Sequence, residues 1–392
     1  MTEWQEKLLS EILYINPTEN LKKGTLSKKV SMEDVQPYTK KISCSNLSEY
    51  RGGSKFKNDD TLFARITPCL ENGKIGFVNF LEEEEIGFGS TEFIVFRAKN
   101  DICSPDYLYY LTSSPDFRET AIASMTGSSG RQRVQISEIS DYQLLLPPLP
   151  EQRAIAGVLS ALDDKIDLLH RQNETLEALA QALFRHWFIE QAQDDWDEIK
   201  LSYFADHYRE NIEPYNRPLE IFFHYSIPAF DDGKRPKREF GSEIRSNKFQ
   251  VKENSILISK LNPRFPRVWP LPGEIDKNSI CSTEFQVVVP KKDEYYPFVY
   301  YFLKSKEFSN NLISYASGTS GSHQRVKPED IFNSSLLIAN ENQVINFSKS
   351  VSAFINKSFL NSNQIQTLEN LRDLLLPKLI SGQVRVRYDQ PQ

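Results

Sequence analysis

The stretch LLLPPLPEQRAIAGVLSALDDKIDLLHRQNETLEALAQALFRHWF occupies residues 144–188, in the middle of a chain of 392 residues. Its proline-rich run ends at Pro150, and an uninterrupted helical pattern follows. Apolar and small residues recur there at alternating intervals of four and three, which is the period of a coiled-coil seam. The seam positions are Ile155, Leu159, Leu162, Ile166, Leu169, Asn173, Leu176, Ala180, Leu183 and Trp187. The stretch therefore predicts a long helix whose seam packs against another helix.

A second stretch near the C-terminus has the same period. Its seam positions are Val344, Phe347, Val351, Phe354, Ser358, Asn361, Ile365, Leu368, Arg372, Leu375 and Leu379. Because a whole globular segment separates the two helices, the simplest closure packs them antiparallel. The polar seam residues Asn173 and Asn361 would fix the register at some cost in stability. The alternative is an amphipathic core helix within one ordinary domain.

The two halves of the chain repeat one another. Five segments recur in the same order, with offsets between 191 and 195 residues: TLFARITP (61–68) and ILISKLNP (256–263), STEF (90–93 and 282–285), YLYYLTSSPDF (107–117) and FVYYFLKSKEF (298–308), GSSGRQRV (127–134) and GTSGSHQRV (318–326), TLEALAQALF (175–184) and TLENLRDLLL (367–376). Chance explains five ordered matches poorly, so we infer an internal duplication, with the two copies related by a pseudo-twofold axis.

The predicted fold class is α+β. Short β-branched and aromatic runs such as GFVNF, EFIVFR and FQVVVP predict strands, and DYLYYLTSSPDF and PFVYYFLKSKEF predict short amphipathic helices. The predicted order is a globular segment at 1–148, a helical region at 149–190, a second globular segment at 191–340 and a second helical region at 341–392.

Composition and motifs argue against an enzyme. The chain has the hydrophobic content of a globular protein, no apolar run of membrane-spanning length and no signal-peptide profile at its N-terminus. Its four cysteines are scattered and its histidines lack ligand spacing, so we expect no metal site and a reducing cytoplasm. NPRF (262–265) and SPDF (114–117) resemble an amino-methyltransferase motif but lack its second proline, and no glycine-rich cofactor loop precedes either. We predict no catalytic residue.

Clusters of basic residues suggest contact with a polyanion, although the net charge of −6 argues weakly against it. In the second copy the clustered residues are Lys234, Arg235, Lys237, Arg238, Arg245, Lys248, Lys260, Arg264 and Arg267. In the first copy they are Arg51, Lys55, Lys57, Arg65 and Lys74. Such side chains neutralise phosphates or contact base edges. The alternative is a solvated loop that carries both signs of charge.

The two Gly/Ser loops are a sharper indication of a binding site. They present Arg131, Gln132 and Arg133 in the first copy and His323, Gln324 and Arg325 in the second. Their small residues allow close approach of a backbone to a ligand. We predict direct DNA contact here, the alternative being a turn that only positions the following elements.

These residues resemble the specificity (S) subunit of Type I restriction–modification systems. The resemblance covers essentially the whole chain, and it rests on LLLPPLPEQRAIAGVLSALDDKID, the Gln-Arg-Val loops, DDTLFARITPCLENGKIGF, and FGSEIRSNKF with SKLNPRFPRVW. The second copy departs from the pattern, with LLIANENQ (336–343) where the first has LLLPPLPEQ. That departure weakens the proline signature in the second copy and leaves its helix intact.

The resemblance implies two target-recognition domains separated by two long helices that form an antiparallel coiled coil. Each domain would recognise one half of a bipartite, asymmetric DNA sequence, and the helices would set the gap between the halves. Two methyltransferase (M) subunits would methylate adenine, and motor-nuclease (R) subunits would complete the restriction complex. S-adenosylmethionine, ATP and Mg would then be cofactors of the partners and none would belong to this chain.

The end of the central seam is more apolar than two helices can cover, which predicts a partner interface. The expected contact residues are Leu183, Phe184, Trp187, Phe188, Leu375 and Leu379. A different class of function also fits a non-catalytic chain, namely a coiled-coil scaffold that binds proteins. The acidic net charge favours the scaffold, and the duplicated basic and Gly/Ser loops count against it.

Overall fold

The computed structural model describes residues 3–43, 46–315 and 324–387. The chain divides into two compact units: the first comprises Met1–Leu169 with Gln364–Gln392, and the second comprises His170–Asn363. Each long helix contributes its two ends to different units. The predicted division at residues 148, 190 and 340 stays a prediction.

Two four-stranded sheets and a two-stranded ribbon build the first unit. One sheet, antiparallel throughout, has the strand order Leu13–Ile15, Phe93–Ala98, Asp60–Ala64 and Ile75–Phe77. The other has the order Leu47–Glu49, Leu26–Val30, Gly87–Gly89 and Ser54–Phe56, and its central pair is parallel. The ribbon pairs Gln5–Leu8 with Gln143–Leu146. The short helices are Leu9–Ile12, Pro105–Ser113, Pro115–Ala123 and Ile136–Ser140.

The second unit repeats this topology. Its antiparallel sheet has the order Ala205–Tyr208, Phe285–Pro290, Ser255–Ser259 and Val268–Leu271. Its other sheet has the order Asn211–Ile212, Lys248–Gln250, Ser279–Cys281, Ile221–Tyr225 and Lys237–Phe240, again with one parallel pair at its centre. Its ribbon pairs Asp197–Lys200 with Ser335–Ile338. The short helices, including three 3-10 turns, are Leu201–Phe204, Pro214–Asn216, Ile227–Asp231, Gly241–Glu243, Asp293–Tyr295, Tyr296–Lys304, Lys306–Tyr315 and Pro328–Asn333. The duplication seen in the sequence is therefore a duplication of fold.

The predicted strands form, but each predicted short helix is divided into two. In the first unit the break falls at Ser114, which is extended (φ −63°, ψ 148°) because the residue before a proline avoids the helical region. In the second unit Ser305 takes the same conformation without a proline (φ −66°, ψ 150°). Its hydroxyl accepts a hydrogen bond from the Phe308 backbone at 3.2 Å, which caps the next helix.

The central helix (Leu149–Arg185) ends in a π-helical turn at His186–Glu190, and the C-terminal helix spans Glu341–Ile380. In the first unit Ile155 lies in one apolar cluster with Leu379, whereas Leu169 lies in another with Ile365. As the residue number increases along the central helix, the number of the residue it packs against on the C-terminal helix decreases, so the two helices are antiparallel there.

The same pairing holds in the second unit. The Asn173 and Asn361 amides are hydrogen-bonded at 2.9 Å, and the rings of Phe184 and Phe347 lie 5.6 Å apart. The predicted seam positions are buried or half-buried along both helices. The coiled-coil prediction is therefore confirmed.

The Pro-Glu-Gln signature at the start of the central helix has a structural role. Gln152 is fully buried, and its side-chain amide accepts from the Ser104 backbone at 2.9 Å and donates to the Pro147 carbonyl at 2.8 Å. The fully buried Glu151 accepts hydrogen bonds from Trp4 Nε1 at 3.2 Å and from Arg385 Nη2 at 2.7 Å. Glu151 therefore fastens the segments of Trp4 and Arg385 to the start of the helix, and Gln152 fastens the segment of Ser104.

The second unit keeps the glutamine although it lacks the prolines. Gln343 Nε2 donates to the Trp187 carbonyl at 3.0 Å, and its Oε1 accepts from the Ala339 backbone at 3.0 Å. A glutamine side chain with one donor and one acceptor group can satisfy two backbone groups at a helix start. The glutamine is thus the part of the signature that the two units share.

Candidate nucleic-acid interface

The same ion pair fixes the Gln-Arg-Val segment in both units. Arg133 binds Glu92 through two parallel hydrogen bonds of 2.6 and 2.9 Å. Arg325 binds Glu284 in the same way, at 3.1 and 3.2 Å. Both glutamates come from the repeated STEF segments, and the hydrogen bonds from Arg133 lower the pKa of Glu92. Arg133 and Arg325 therefore brace their loops, through a bidentate geometry that lysine could not reproduce.

Backbone hydrogen bonds place each braced segment beside an equivalent basic residue. The Val134 amide donates to the Arg65 carbonyl at 2.9 Å, and the Val326 amide donates to the Lys260 carbonyl at 3.0 Å. Arg65 and Lys260 occupy corresponding positions of the repeat and both are half-buried. The structure thus brings together, in each unit, two sequence-predicted positions that lie more than sixty residues apart.

The loop of the first unit exposes Arg131 at its tip. The backbone of Gln132 is held by Thr67 through two hydrogen bonds. The Thr67 hydroxyl accepts from the Gln132 backbone N–H at 2.9 Å, and the Thr67 backbone N–H donates to the Gln132 backbone carbonyl at 3.0 Å. Gly127 and Gly130 have φ angles of +133° and +77°, which residues with a Cβ rarely adopt. The glycines allow the tight turn, and the turn presents Arg131 to solvent.

The corresponding loop of the second unit is described from Gln324 onward, and the predicted contact residue His323 lies outside the described residues. The Asn262 amide donates to the Gln324 carbonyl at 2.8 Å, next to the Arg325 brace. The side-chain oxygens of Asn262 and Gln324 are buried without a hydrogen-bond partner. Unpaired buried acceptors are rare in proteins, and these two mark the base of the loop as a place that can accept a donor.

The basic residues of the first unit are mostly held by the chain itself. Lys55 donates to the Glu19 carbonyl, and Lys57 pairs with the Glu19 carboxylate at 3.0 Å. Lys74 donates to the Met32 carbonyl at 2.7 Å, and Arg65 donates to the Val134 carbonyl at 3.3 Å. The side chain of Arg51 is 84% exposed beside Glu49. Arg51 and Arg131 are thus the predicted contact residues that the first unit exposes most fully.

The second unit exposes more of its predicted basic set. The exposed members are Lys234, Arg235, Lys237, Arg238, Arg245 and Arg264. Two of them stack on aromatic rings, Lys234 over Phe230 at 5.0 Å and Arg238 over Phe223 at 5.8 Å. Stacking holds a cation at the surface without neutralising it. The two units therefore share a scaffold and differ in the charged surface that they present.

Two other predicted residues of the second unit are engaged internally. Arg267 forms a bidentate pair with Asp231 at 2.7 and 2.8 Å. Lys248 is buried, with its ammonium group bonded to the Ser246 hydroxyl at 2.6 Å. In this conformation Lys248 offers no surface to a ligand, so the expectation that it contacts phosphate is corrected. Lys248 was predicted from its neighbours in sequence, whereas the strand Lys248–Gln250 lies between two other strands of its sheet and buries both Lys248 and Phe249.

A half-buried histidine lies among these lysines and was not singled out from the sequence. His224 Nδ1 lies 2.6 Å from Glu239 Oε2 on the adjacent strand, and its Nε2 is buried without a partner. Burial lowers the pKa of His224 below its ordinary value, although Glu239 acts in the opposite direction. Lys248 and Lys237 add repulsion to the charged form. The imidazole is therefore kept neutral near pH 7.

The predicted partner interface requires a correction. Phe184, Phe188 and Leu379 are covered by apolar side chains of their own units, and only Leu183, Trp187 and Leu375 are half-exposed. The two phenylalanines pack on Phe298 and Phe347, at ring distances between 5.0 and 5.9 Å. Globular residues of the same chain thus cover the apolar excess that we had assigned to a partner.

Other apolar side chains on the two long helices face solvent instead. They are Val158, Leu168, Leu371 and Leu374 in the first unit and Leu179, Phe359 and Leu360 in the second. These positions lie outside the heptad seam, which is why the seam pattern did not identify them. We call these seven residues the exposed helical leucine set, because most of them are leucines.

Among residues 3–43, 46–315 and 324–387, no three His, Cys, Asp or Glu side chains come together as a metal site would require. No described helix has the length and apolar character needed to span a membrane. Ser114 and Pro115 form a junction between two helices, and 262–265 form a turn between two strands.

Comparison with known proteins gives these features a context. Residues 1–178 match the family model for the Type I restriction modification DNA specificity domain. The specificity subunit of the Type I restriction enzyme HindI from Haemophilus influenzae is 24% identical over 420 residues, which cover 87% of this chain and 90% of that protein. The specificity subunit of MjaIX from Methanocaldococcus jannaschii is 26% identical over 315 residues, which cover 72% of this chain and 69% of that protein.

A solved structure shares the fold. The crystal structure of a Type I restriction–modification system S subunit from M. genitalium matches with a TM-score of 0.57 at 16% identity, and the match covers 96% of each chain. At that identity the likeness concerns the fold alone.

Proposed function

Because this chain belongs to the family of Type I restriction–modification specificity subunits, we propose that its two units recognise the two halves of a bipartite, asymmetric DNA sequence. DNA recognition is the role of the family. The assignment of one half-site to each unit, and of adenine methylation and restriction to partner subunits, is our proposal. S-adenosylmethionine, ATP and Mg would be bound by those partners.

One observation carries the proposal. Both units brace a Gln-Arg-Val segment with an Arg–Glu pair in one sheet topology, yet they expose different basic and polar side chains around it. A duplicated scaffold with divergent surfaces suits two related sites that bind different base sequences. Two units that recognised the same half-site would have no reason to differ there.

The charges fit contact with a duplex in spite of the negative net charge. The exposed cation Arg131 lies in the braced loop of the first unit, and Arg264 lies in the turn that is tied to the braced segment of the second. Arg51 and Arg245 are further exposed cations of the two units. Each phosphate neutralised by such a cation steepens the dependence of binding on salt. We therefore expect affinity to fall steeply as salt rises, and Arg131→Ala to reduce that slope by about one.

We also propose that the exposed helical leucine set receives the methyltransferase subunits. Leu360 and Leu374 are 61% and 56% exposed on the C-terminal helix, whose seam residues are buried or half-buried. Leucine side chains that are exposed along a helix in both units suit two copies of one partner, one on each unit. This set replaces the buried aromatic residues that the sequence had suggested.

Mapping of methylated adenines across the genome, with and without this chain, tests the proposal. We expect a two-part motif with an unspecified gap, present with the chain and absent after its deletion. If the methylated motif were unchanged by deletion, the chain would not specify the sequence. A protein-binding scaffold would give that result.

A further inference from the structure

The turn at residues 262–267 joins the strands Ser255–Ser259 and Val268–Leu271 and carries an exposed aromatic ring. Phe265 is 66% exposed, next to the exposed Arg264, whereas Pro263 is buried. A phenylalanine in this position contacts mainly water, which is unfavourable for an apolar side chain. Exposure alone proves little, because single apolar residues are common on protein surfaces.

The turn is held rigidly from several sides. The Asn262 amide donates to the Gln324 carbonyl at 2.8 Å, which ties the turn to the braced loop. The Ser309 hydroxyl reaches the Pro263 carbonyl at 3.4 Å, and the Phe265 amide donates to the Asn262 carbonyl at 3.0 Å. At the far end Arg267 is fixed on Asp231 by its bidentate pair. The ring is therefore displayed by a stiff support, with little freedom to fold back onto the protein.

The duplication supplies an internal comparison. In the first unit the strands Asp60–Ala64 and Ile75–Phe77 are joined by an equivalent connection, which is two residues longer than the turn that carries Phe265. Its apolar residue Leu70 is fully buried in the core of the first unit. The connection of the first unit thus buries its apolar side chain and that of the second exposes one, so this place in the fold does not require an exposed ring.

We infer that Phe265 is an apolar wedge that enters the base stack at one step of the half-site recognised by the second unit. The inference rests on the proposed function, since it requires that this unit binds duplex DNA. Phenylalanine is one of the side chains that DNA-binding proteins insert between base pairs, and such insertion kinks the duplex. Arg264 beside the ring would neutralise a phosphate that the kink brings close. The first unit, which buries Leu70, would bind its half-site without a wedge.

The test uses the full chain in the complex purified through an affinity tag on it. A duplex selected by that complex from a random pool carries a donor and an acceptor fluorophore at its ends, and energy transfer reports the bend. We expect transfer to rise when the wild-type complex binds. Phe265→Ala should abolish the rise and weaken binding roughly tenfold, the effect of losing one stacking contact. Phe265→Leu should preserve the bend, because leucine also serves as a wedge.

Tyr203→Ala is the matched control. Tyr203 is an aromatic residue of the second unit that is 52% exposed in the helix Leu201–Phe204, outside the turn. The Tyr203→Ala variant should leave both the affinity for DNA and the bend of the duplex unchanged. Since Phe265 is exposed, its alanine variant should also keep the thermal stability of the wild type.

Three results would overturn the inference. These are a wild-type complex that binds without bending the duplex, a Phe265→Ala complex that bends it fully, and a Phe265→Ala complex that binds weakly with an unchanged bend. The last result would identify a contact in a groove. In all three cases the selected duplex still has a defined sequence, so the proposed function survives. If the random pool yields no preferred sequence, the proposed function fails first and the wedge fails with it.

Discussion

Asn361 donates a hydrogen bond from Nδ2 to Oδ1 of Asn173, at 2.9 Å, across the seam of two antiparallel helices in the second unit. Asn361 is fully buried, and its neighbours along the seam of the C-terminal helix are Ser358 and Ile365. On the central helix the leucines at positions 169 and 176 flank Asn173. A buried amide pair at a seam position costs stability relative to leucine and favours one register over its neighbours.

Asn361→Ala should lower the free energy of unfolding by about 1–3 kcal/mol, because the Asn173 amide loses its partner in a half-buried site. Replacing both residues by leucine should restore or raise stability, since no polar group is then left unsatisfied. Chemical denaturation of the full chain measures both effects. Asn356→Ala, at an exposed position of the same helix, is the control and should change little. A destabilised double-leucine variant would contradict the account.

The Arg133–Glu92 brace should matter more for DNA binding than for stability. Its side chains are 43% and 24% exposed, so solvent screens the pair and Arg133→Lys should change the free energy of unfolding little. The loop loses its bidentate support, and we expect weaker discrimination of bases in one half-site only. Competition assays with duplexes altered in either half measure this. Arg325→Lys is the matched variant and should affect the other half-site.

Stability should fall on the acid side of neutrality through two histidines of the second unit. Burial lowers the pKa of His224 and of His207 below the ordinary value of 6.5. Below about pH 6.5 the unfolded chain therefore binds protons that the folded chain does not, which favours unfolding until the folded histidines also become protonated. The midpoint temperature of thermal unfolding should therefore fall as the pH is lowered from about 7.5 to about 5.5, the range in which these histidines begin to take up protons on unfolding.

His224→Gln should flatten that dependence, and His207→Gln should flatten it by a separate increment. The His207 ring stacks on Phe332 at 5.2 Å, and the charge of Arg209 adds to the effect of burial in lowering the pKa of His207. If the wild-type midpoint were constant over this range, the buried imidazoles would not be kept neutral.

Leu360→Asp should separate partner binding from folding. Leu360 is exposed on the C-terminal helix, so the isolated variant should unfold at the wild-type temperature. A charge placed within an apolar contact should prevent co-purification of the methyltransferase subunit. Lys357→Asp, also exposed on this helix, is a matched control that should retain the partner. Retention of the partner by Leu360→Asp would place the docking surface elsewhere.

Much of the architecture followed from periodicity. The four-and-three spacing predicted both long helices and placed Asn173 and Asn361 in their seams, because a seam is a local property of the sequence. Their antiparallel packing followed from the globular segment that separates them. The repeat predicted that the units share a fold. A further repeat was missed: Trp4 and Trp196 each precede a ribbon strand, Gln5–Leu8 or Asp197–Lys200. The residues that follow, QEKLLS (5–10) and DEIKLS (197–202), are identical at three of six positions, a match too short to stand out without knowledge of the strands.

The site was harder to predict, because it depends on partners that are distant in sequence. Arg133 is a surface cation in the sequence, and only the fold brings Glu92 to within 2.6 Å of it. Phe184 and Phe188 seemed to exceed what two helices could cover, because their partner Phe298 is more than a hundred residues away. Leu360 lies outside the seam, so the heptad pattern did not indicate that its side chain is exposed. Local patterns predict which face is apolar, and tertiary packing decides what covers it.

The exchange of residues 1–145 for those of a relative with a different DNA target tests the central claim most directly. This segment contains the braced loop of the first unit, including Arg131 and Arg133, and leaves the second unit intact. Sequencing of methylated adenines in cells that carry the hybrid should show one half of the motif changed and the other half and the gap preserved. A motif that changed in both halves, or in neither, would contradict the claim that each unit recognises its own half-site.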